Sequence, residues 1–188
     1  AQEFRETAQL LDPAETASAL ATEEQKLVSI SSRFDPYSPT AEEDYEELKG
    51  AIQEIDIIGI LGREIAKTTI DSAVAKQAVQ AILVLAPAQR LQAVGMLLDG
   101  DNVMTLAPVF VTVMRVVREI YAGSAADERI RIDEALCKLW AEQSPLLSVE
   151  VNLSYYIRAM AGDQTQQKEE ILIKNFEESA NPMIRRLV

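Results

Sequence analysis

Apolar side chains recur along this chain at alternating steps of three and four, the spacing of one face of an α-helix. Tyr45, Leu48, Ile52 and Ile55 form one such stripe. Val74, Ala78, Ala81, Ile82 and Leu85 form another, and Leu91, Val94 and Leu98 a third. Leu106, Phe110, Val113, Val117 and Ile120 make a stripe that Val109, Met114 and Val116 widen, so this helix is predicted to be central. Ile132, Leu136, Leu139 and Trp140 follow, then Val149, Leu153, Tyr156, Ile157 and Met160, then Leu172 and Phe176. No segment carries the period of two that a half-buried strand requires.

The breaks between stripes have their own chemistry. Prolines 36 and 39 make 31–39 a loop, because proline and the residue before it disfavour helix. Helices are expected before it, at 1–11 and from Asp12-Pro13 to about Ile30. Thr40-Ala41-Glu42-Glu43 has the capping-box pattern and predicts the start of the longest helix, running towards Ala66. Gly59 and Gly62 on its inner stripe point to a close helix neighbour, or else the helix breaks near Asp56. Asp71, Thr105 and Asp163 read as N-caps, and Pro87 as a first helical residue. The run 99–102 reads as a stop between helices, and Ser144-Pro145 as a break before a helix from Ser148 to Ala161.

Eight or nine helices with short loops predict an all-α fold in which sequential neighbours are antiparallel. Starts near Ala41, Pro87, Asp127 and Asp163 repeat at roughly 40 residues, the spacing of HEAT-type arrays. The expected organisation is one domain: an N-terminal helical extension over 1–32 and an irregular HEAT-like array over 33–188. Asn181-Pro182 then opens a further helix with under two turns of sequence left, which suggests a piece of a longer protein.

Composition narrows the chemistry. There are 188 residues, 48% of them hydrophobic, enough for a sizeable core. The net charge of -12 disfavours nucleic-acid binding over the whole surface and confines it to a small local basic groove. Histidine is absent, which removes Ser-His and Cys-His pairs and histidine metal ligands. The one cysteine, Cys137, excludes an intramolecular disulfide and agrees with a reducing cytoplasm; it reads as a structural thiol. The longest uncharged apolar run, Val103 to Met114, reads as a buried helix and is shorter than the roughly 20 residues that cross a bilayer.

No catalytic set, cofactor loop or metal-ligand spacing stands out. The acidic run from Glu42 to Glu47 lacks the glycine turn of a calcium loop and reads as a solvated helix start. Gly59 to Gly62 is followed by no Lys-Ser/Thr pair, so it is no phosphate loop. Arg63 and Lys67, with Asp56 and Glu64, form either a docking surface or ordinary surface pairs. Arg115, Arg118, Arg129 and Arg131 are candidates for a small basic groove that touches RNA. Arg185 and Arg186 complete the candidate interaction surface. No aromatic stacking series accompanies the groove arginines, Tyr121 being alone; Tyr155, Tyr156 and Trp140 are candidates to stack a base or a peptide, but at helical spacing they read as core.

Four stretches carry a resemblance: FDPYSPTAEEDYEEL (34–48), IDIIGILGREIAKT (55–68), VNLSYYIR (151–158) and NPMIRR (181–186). Together they resemble the helical region downstream of the polymerase core in bacterial retron-like and abortive-infection-like reverse transcriptases of antiphage defence. The likeness would cover about 33–188. That family's metal-binding Tyr-x-Asp-Asp motif is absent here, so its active site maps to no residue of this chain. The stretch 55–62 with Lys67 is also similar to helical segments of STAND-class defence ATPases. The resemblance implies a non-catalytic, cytoplasmic scaffold without cofactor. It would pack on a polymerase core or another protein, touch RNA locally and have scope to oligomerise. The alternative is a free-standing helical-repeat adaptor for a peptide or protein.

Overall fold

The computed structural model describes residues 23–30, 41–163 and 165–187, with the side chains of 41–45 and 48 left aside. The helices expected before 23, the loop at 31–39 and the cap expected at Thr40 lie outside the described residues. Among those residues the chain is all-helical: eleven α-helices and no strand. It divides into two compact units, 1–56 and 57–188.

In the first unit, α1 spans 23–30 and α2 spans Ala41–Gln53. Leu27, Ile52 and Ile55 are buried. Lys26 pairs with Glu54 at 3.4 Å and Lys49 with Glu46 at 3.5 Å. These are exposed pairs, worth under about 1 kcal/mol each.

The second unit begins with α3 (Ile57–Ala66). The long helix expected from Thr40 to Ala66 is therefore two helices. Ile55 donates to the Ile52 carbonyl at 3.0 Å, closing the last turn of α2. Asp56 stands at the break, where an aspartate competes with helical hydrogen bonds. Gly62 needs no close neighbour: a Cβ there would meet only Met96 Cε, at an ordinary 3.8 Å.

Next comes α4 (Ser72–Ala81), capped by Asp71, whose carboxylate accepts from the N–H groups of Ala73 and Val74. A 3₁₀ turn at Ile82–Val84 leads to α5 (Pro87–Leu97), which opens on proline. The run 99–102 does not stop the chain but opens a short helix, α6 (Gly100–Thr105), pinned by Asn102 Nδ2 donating to the Met96 carbonyl at 3.0 Å. Thr105 ends that helix and caps nothing. The apolar run from Val103 is thus interrupted: Pro108 sits in a 3₁₀ turn (Ala107–Val109) before α7 (Phe110–Gly123).

Helix α7 organises this unit. Phe110, Val113, Met114, Val116, Val117, Ile120 and Tyr121 are all buried. It packs against α4, α5, α8 (Ala126–Ala141) and α9 (Glu150–Ala159). Helix α8 is the longest described, at 16 residues. Glu128 reaches back to the Ala125 N–H at its start, and Lys138 lies in its last turn; both suit the helix dipole. A 3₁₀ turn at Pro145–Ser148 precedes α9, so the expected helix from Ser148 starts later and ends two residues earlier.

The next helix, α10 (Gln166–Glu178), is capped by Thr165 accepting from the Lys168 N–H at 3.3 Å, not by Asp163. Its buried face is Lys168, Ile171 and Asn175 rather than Leu172 and Phe176; Phe176 is 51% exposed. Lys168 causes the rotation. Its ammonium is fully buried, 2.8 Å from Asp133 Oδ1 of α8, and donates to the Asp163 carbonyl at 2.9 Å and the Tyr121 hydroxyl at 3.4 Å. Tyr121 in turn donates to Asp133 Oδ2 at 3.1 Å. One lysine therefore ties α7, α8 and α10 together. Last is α11 (Pro182–Arg185), capped by Asn181 as the sequence predicts, with Ile184 buried against α9 and α10.

Two expected outcomes test this frame. Gly162 has φ +130°, and a Cβ there would run into the Tyr121 ring. Gly162→Ala should cost about 1–3 kcal/mol from backbone conformation alone, read as a lower urea midpoint. Lys168→Met leaves Asp133 buried without its counter-charge and should cost about 3–5 kcal/mol. The double variant Lys168→Met/Asp133→Leu should recover most of that loss. If the two changes simply add, the ion pair is not what couples these helices.

Candidate functional site

The eight basic candidates do not form one surface. Arg63 lies in the last turn of α3 and Lys67 just after it. The residue that matters there is Glu64, fully buried, which pairs with Lys67 and accepts the Asp71 N–H at 2.9 Å. It fastens the end of α3 to the cap of α4, a structural use of a residue that the sequence places on the surface.

Arg129 and Arg131 start α8, away from the groove that Arg115 and Arg118 line. Arg129 pairs with Asp163 at 3.2 Å, donates from Nε to the Ser124 carbonyl at 3.0 Å, and covers the Tyr121 ring at 5.5 Å from its centroid. It shields the buried Lys168–Asp133 pair. Arg131 is exposed. Arg185 donates to the Ser179 carbonyl at 2.7 Å and Arg186 ends α11; both are exposed.

Arg115 and Arg118 do enter a common feature, with partners from α9. A groove of about 380 Å³ between α7 and α9 is lined by Met114, Arg115, Arg118, Glu119, Tyr155 and Arg158. Helical geometry explains it. Arg115, Arg118 and Glu119 are three and four apart, so they share the one strip of α7 that its apolar faces leave exposed. Tyr155 and Tyr156 are consecutive and diverge by about 100° around α9. Tyr156 turns inward, donates to the Leu136 carbonyl at 2.8 Å and stacks on Trp140 with centroids 6.1 Å apart. Tyr155 turns into the groove, against the expectation that it is core.

There Arg115 Nη2 donates to the Tyr155 hydroxyl at 2.7 Å. The guanidinium carbons of Arg115 and Arg158 lie 4.9 and 5.3 Å from the Tyr155 ring centroid. Both are within the range of cation–π attraction. Among the described residues no carboxylate forms an ion pair with Arg115, Arg118 or Arg158. The aromatic partner that the sequence did not supply for the basic patch is Tyr155. The i, i+3 pair Tyr155–Arg158 was a signal, but its meeting with Arg115 depends on how α7 and α9 pack.

Two further clefts, each of about 340 Å³, flank the end of α8. Asp99, Asp101, Lys138 and Glu142 line one; Trp140, Gln143, Leu147 and Lys174 line the other. Among the described residues no group of three His, Cys, Asp or Glu side chains is placed to hold a metal ion, and no helix is long and apolar enough to cross a membrane. Cys137 is buried, and burial together with the nearby Asp133 charge raises its thiol pKa.

No family model, curated protein or solved structure matches this chain.

Tyr121, Tyr155 and Tyr156 should titrate in a fixed order. The hydrogen bond from Arg115 lowers the Tyr155 pKa from 10.0, while burial raises those of Tyr121 and Tyr156. Spectrophotometric titration should therefore show Tyr155→Phe removing the first of these three phenols to ionise, and Arg115→Ala moving it upward. For the two buried phenols the folded pKa exceeds the unfolded one. Their stabilisation is complete below about pH 10 and lost as pH rises through the folded values. The thermal midpoint should fall steeply above about pH 10, and less steeply in Tyr156→Phe.

Proposed function

We propose that this chain is a non-catalytic helical scaffold, an irregular HEAT-like array, serving as the accessory domain of an RNA-directed DNA polymerase in bacterial antiphage defence. One observation carries the scaffold reading: the order in which helices touch. Helices α4, α7 and α9 begin at residues 72, 110 and 150, and each packs on the next. Helices α5, α8 and α10 begin at 87, 126 and 166, and do the same. Two layers advancing together at intervals of about 40 residues are the pattern of stacked helix pairs. Such arrays bind through extended surfaces rather than enclosed pockets.

The polymerase reading rests on the resemblance of 34–48, 55–68, 151–158 and 181–186. Under it, the polymerase core of the same protein is the partner. Ile173, Phe176 and Met183, each more than half exposed on α10 and α11, are apolar side chains available for that contact, as are Ile130 on α8 and Val151 on α9. Apolar residues clustered on neighbouring helices are the usual mark of an interaction surface.

The test is to read the native gene on both sides of this segment and assay the encoded protein for primer extension on an RNA template. A Tyr-x-Asp-Asp core with activity that Ile173→Asp/Phe176→Asp reduces by about tenfold or more supports the proposal. A parent protein without polymerase activity overturns the polymerase part. Should the double variant also leave every partner contact unchanged, the scaffold surface named here is wrong.

A further inference from the structure

We infer that the groove between α7 and α9 is a binding site for single-stranded nucleic acid, built by Arg115, Arg118, Tyr155 and Arg158. The chain carries -12 overall, yet three guanidiniums converge on one groove with Glu119 as the only acidic residue lining it among the described residues. Like charges held together without counter-ions repel, so the arrangement is stabilised when an anion enters. Lys26, Lys49, Lys67, Arg129, Lys138 and Lys168 all have carboxylate partners. Among the described residues the groove arginines have none, which leaves their donors for a ligand.

The donors are also held in place. Arg115 is fixed by its bond to the Tyr155 hydroxyl and by the ring beneath it, and Arg158 rests over the same ring. A guanidinium held this way keeps its fork towards phosphate oxygens at little further entropic cost. The tyrosine points to nucleic acid over an acidic peptide. A carboxylate chain has no use for an aromatic ring in the site, whereas a base stacks on a ring or on a guanidinium plane. The acidic surroundings confine the contact to a short strand, because a long duplex would meet repulsion beyond the groove. The groove's 380 Å³ lies within the range of about 300–1,000 Å³ typical of small-ligand sites. This inference is independent of which protein the scaffold serves.

The experiment uses the full chain and a fluorescein-labelled ten-nucleotide single-stranded RNA, with anisotropy read across a salt series. Three phosphate contacts predict a slope of log K against log salt of about -2, at about -0.7 per contact. Arg118→Gln, which breaks no ion pair among the described residues, should flatten the slope by about 0.7, as should Arg158→Gln. Tyr155→Leu should weaken binding about tenfold while leaving the slope unchanged. Arg131→Gln removes the same charge from an exposed site on α8 and should leave affinity unchanged. Circular dichroism checks that each variant is folded, and Arg118→Gln carries the test alone if the tyrosine variant is not. Absence of saturable binding at low salt overturns the site. So does an Arg131→Gln effect equal to that of Arg118→Gln, which would mean diffuse charge attraction. Poly-glutamate binding the groove as tightly as the RNA, with Tyr155→Leu neutral, would make an acidic peptide the occupant instead.

Discussion

Helix α7 is apolar over most of its circumference, and the rest of residues 57–188 follows from that constraint. A helix with seven large buried side chains cannot lie on the outside of a bundle; it must be covered from several directions. Helices α4, α5, α8 and α9 do the covering. What remains is the narrow strip of Arg115, Arg118, Glu119 and Ala122. The same burial that fixes α7 at the centre thus decides which of its residues meet a ligand, and packs α9 beside that strip to supply Tyr155 and Arg158.

The second constraint is polar. Lys168 and Asp133 are both buried, and removing two charges from water is costly unless each is well partnered. Asp163's carbonyl, the Tyr121 hydroxyl and the overlying Arg129 supply the remaining contacts. The pair selects one rotation of α10 over the others. A purely apolar reading of α10 puts Leu172 and Phe176 inside; the ion pair turns the helix so that Ile171 goes in and Phe176 comes out. The rotation leaves Ile173 and Phe176 more than half exposed.

The two features sit at different places on α7 and do different things. Near its C-terminal end, Tyr121 serves the closed Lys168–Asp133 network, and Arg129 is committed to it through Asp163. Midway along, Arg115 and Arg118 face a groove where no carboxylate among the described residues pairs with them. Four arginines that look alike in the sequence divide accordingly: Arg129 shields a buried charge, Arg131 stands in solvent, and Arg115 and Arg118 remain available. Only the last two line the groove; Arg131 lies outside it.

Periodicity and capping chemistry determined the all-helical class, the Asp71 and Asn181 caps, the proline start of α5 and the central place of Phe110 to Ile120. These are local effects, set by residues three or four apart and by side chains bonding to their own backbone. The break at Asp56 was legible only as one of two options, because helix and turn differ there by little. Local pattern misleads at Asp163 and on the inner face of α10 for one reason: each makes a contact with a distant part of the chain, Asp163 with Arg129 and Lys168 with Asp133 and Tyr121. The partnership of Tyr155 with Arg115 spans 40 residues, that of Lys168 with Tyr121 spans 47, and neither leaves a mark in local spacing. The sequence by itself settled that the chain is helical and placed most of its apolar stripes, because both follow from residues three and four apart. Tertiary structure decided which charges are paired and which stay open to a ligand, because ion pairing depends on distances that only the packed helices set.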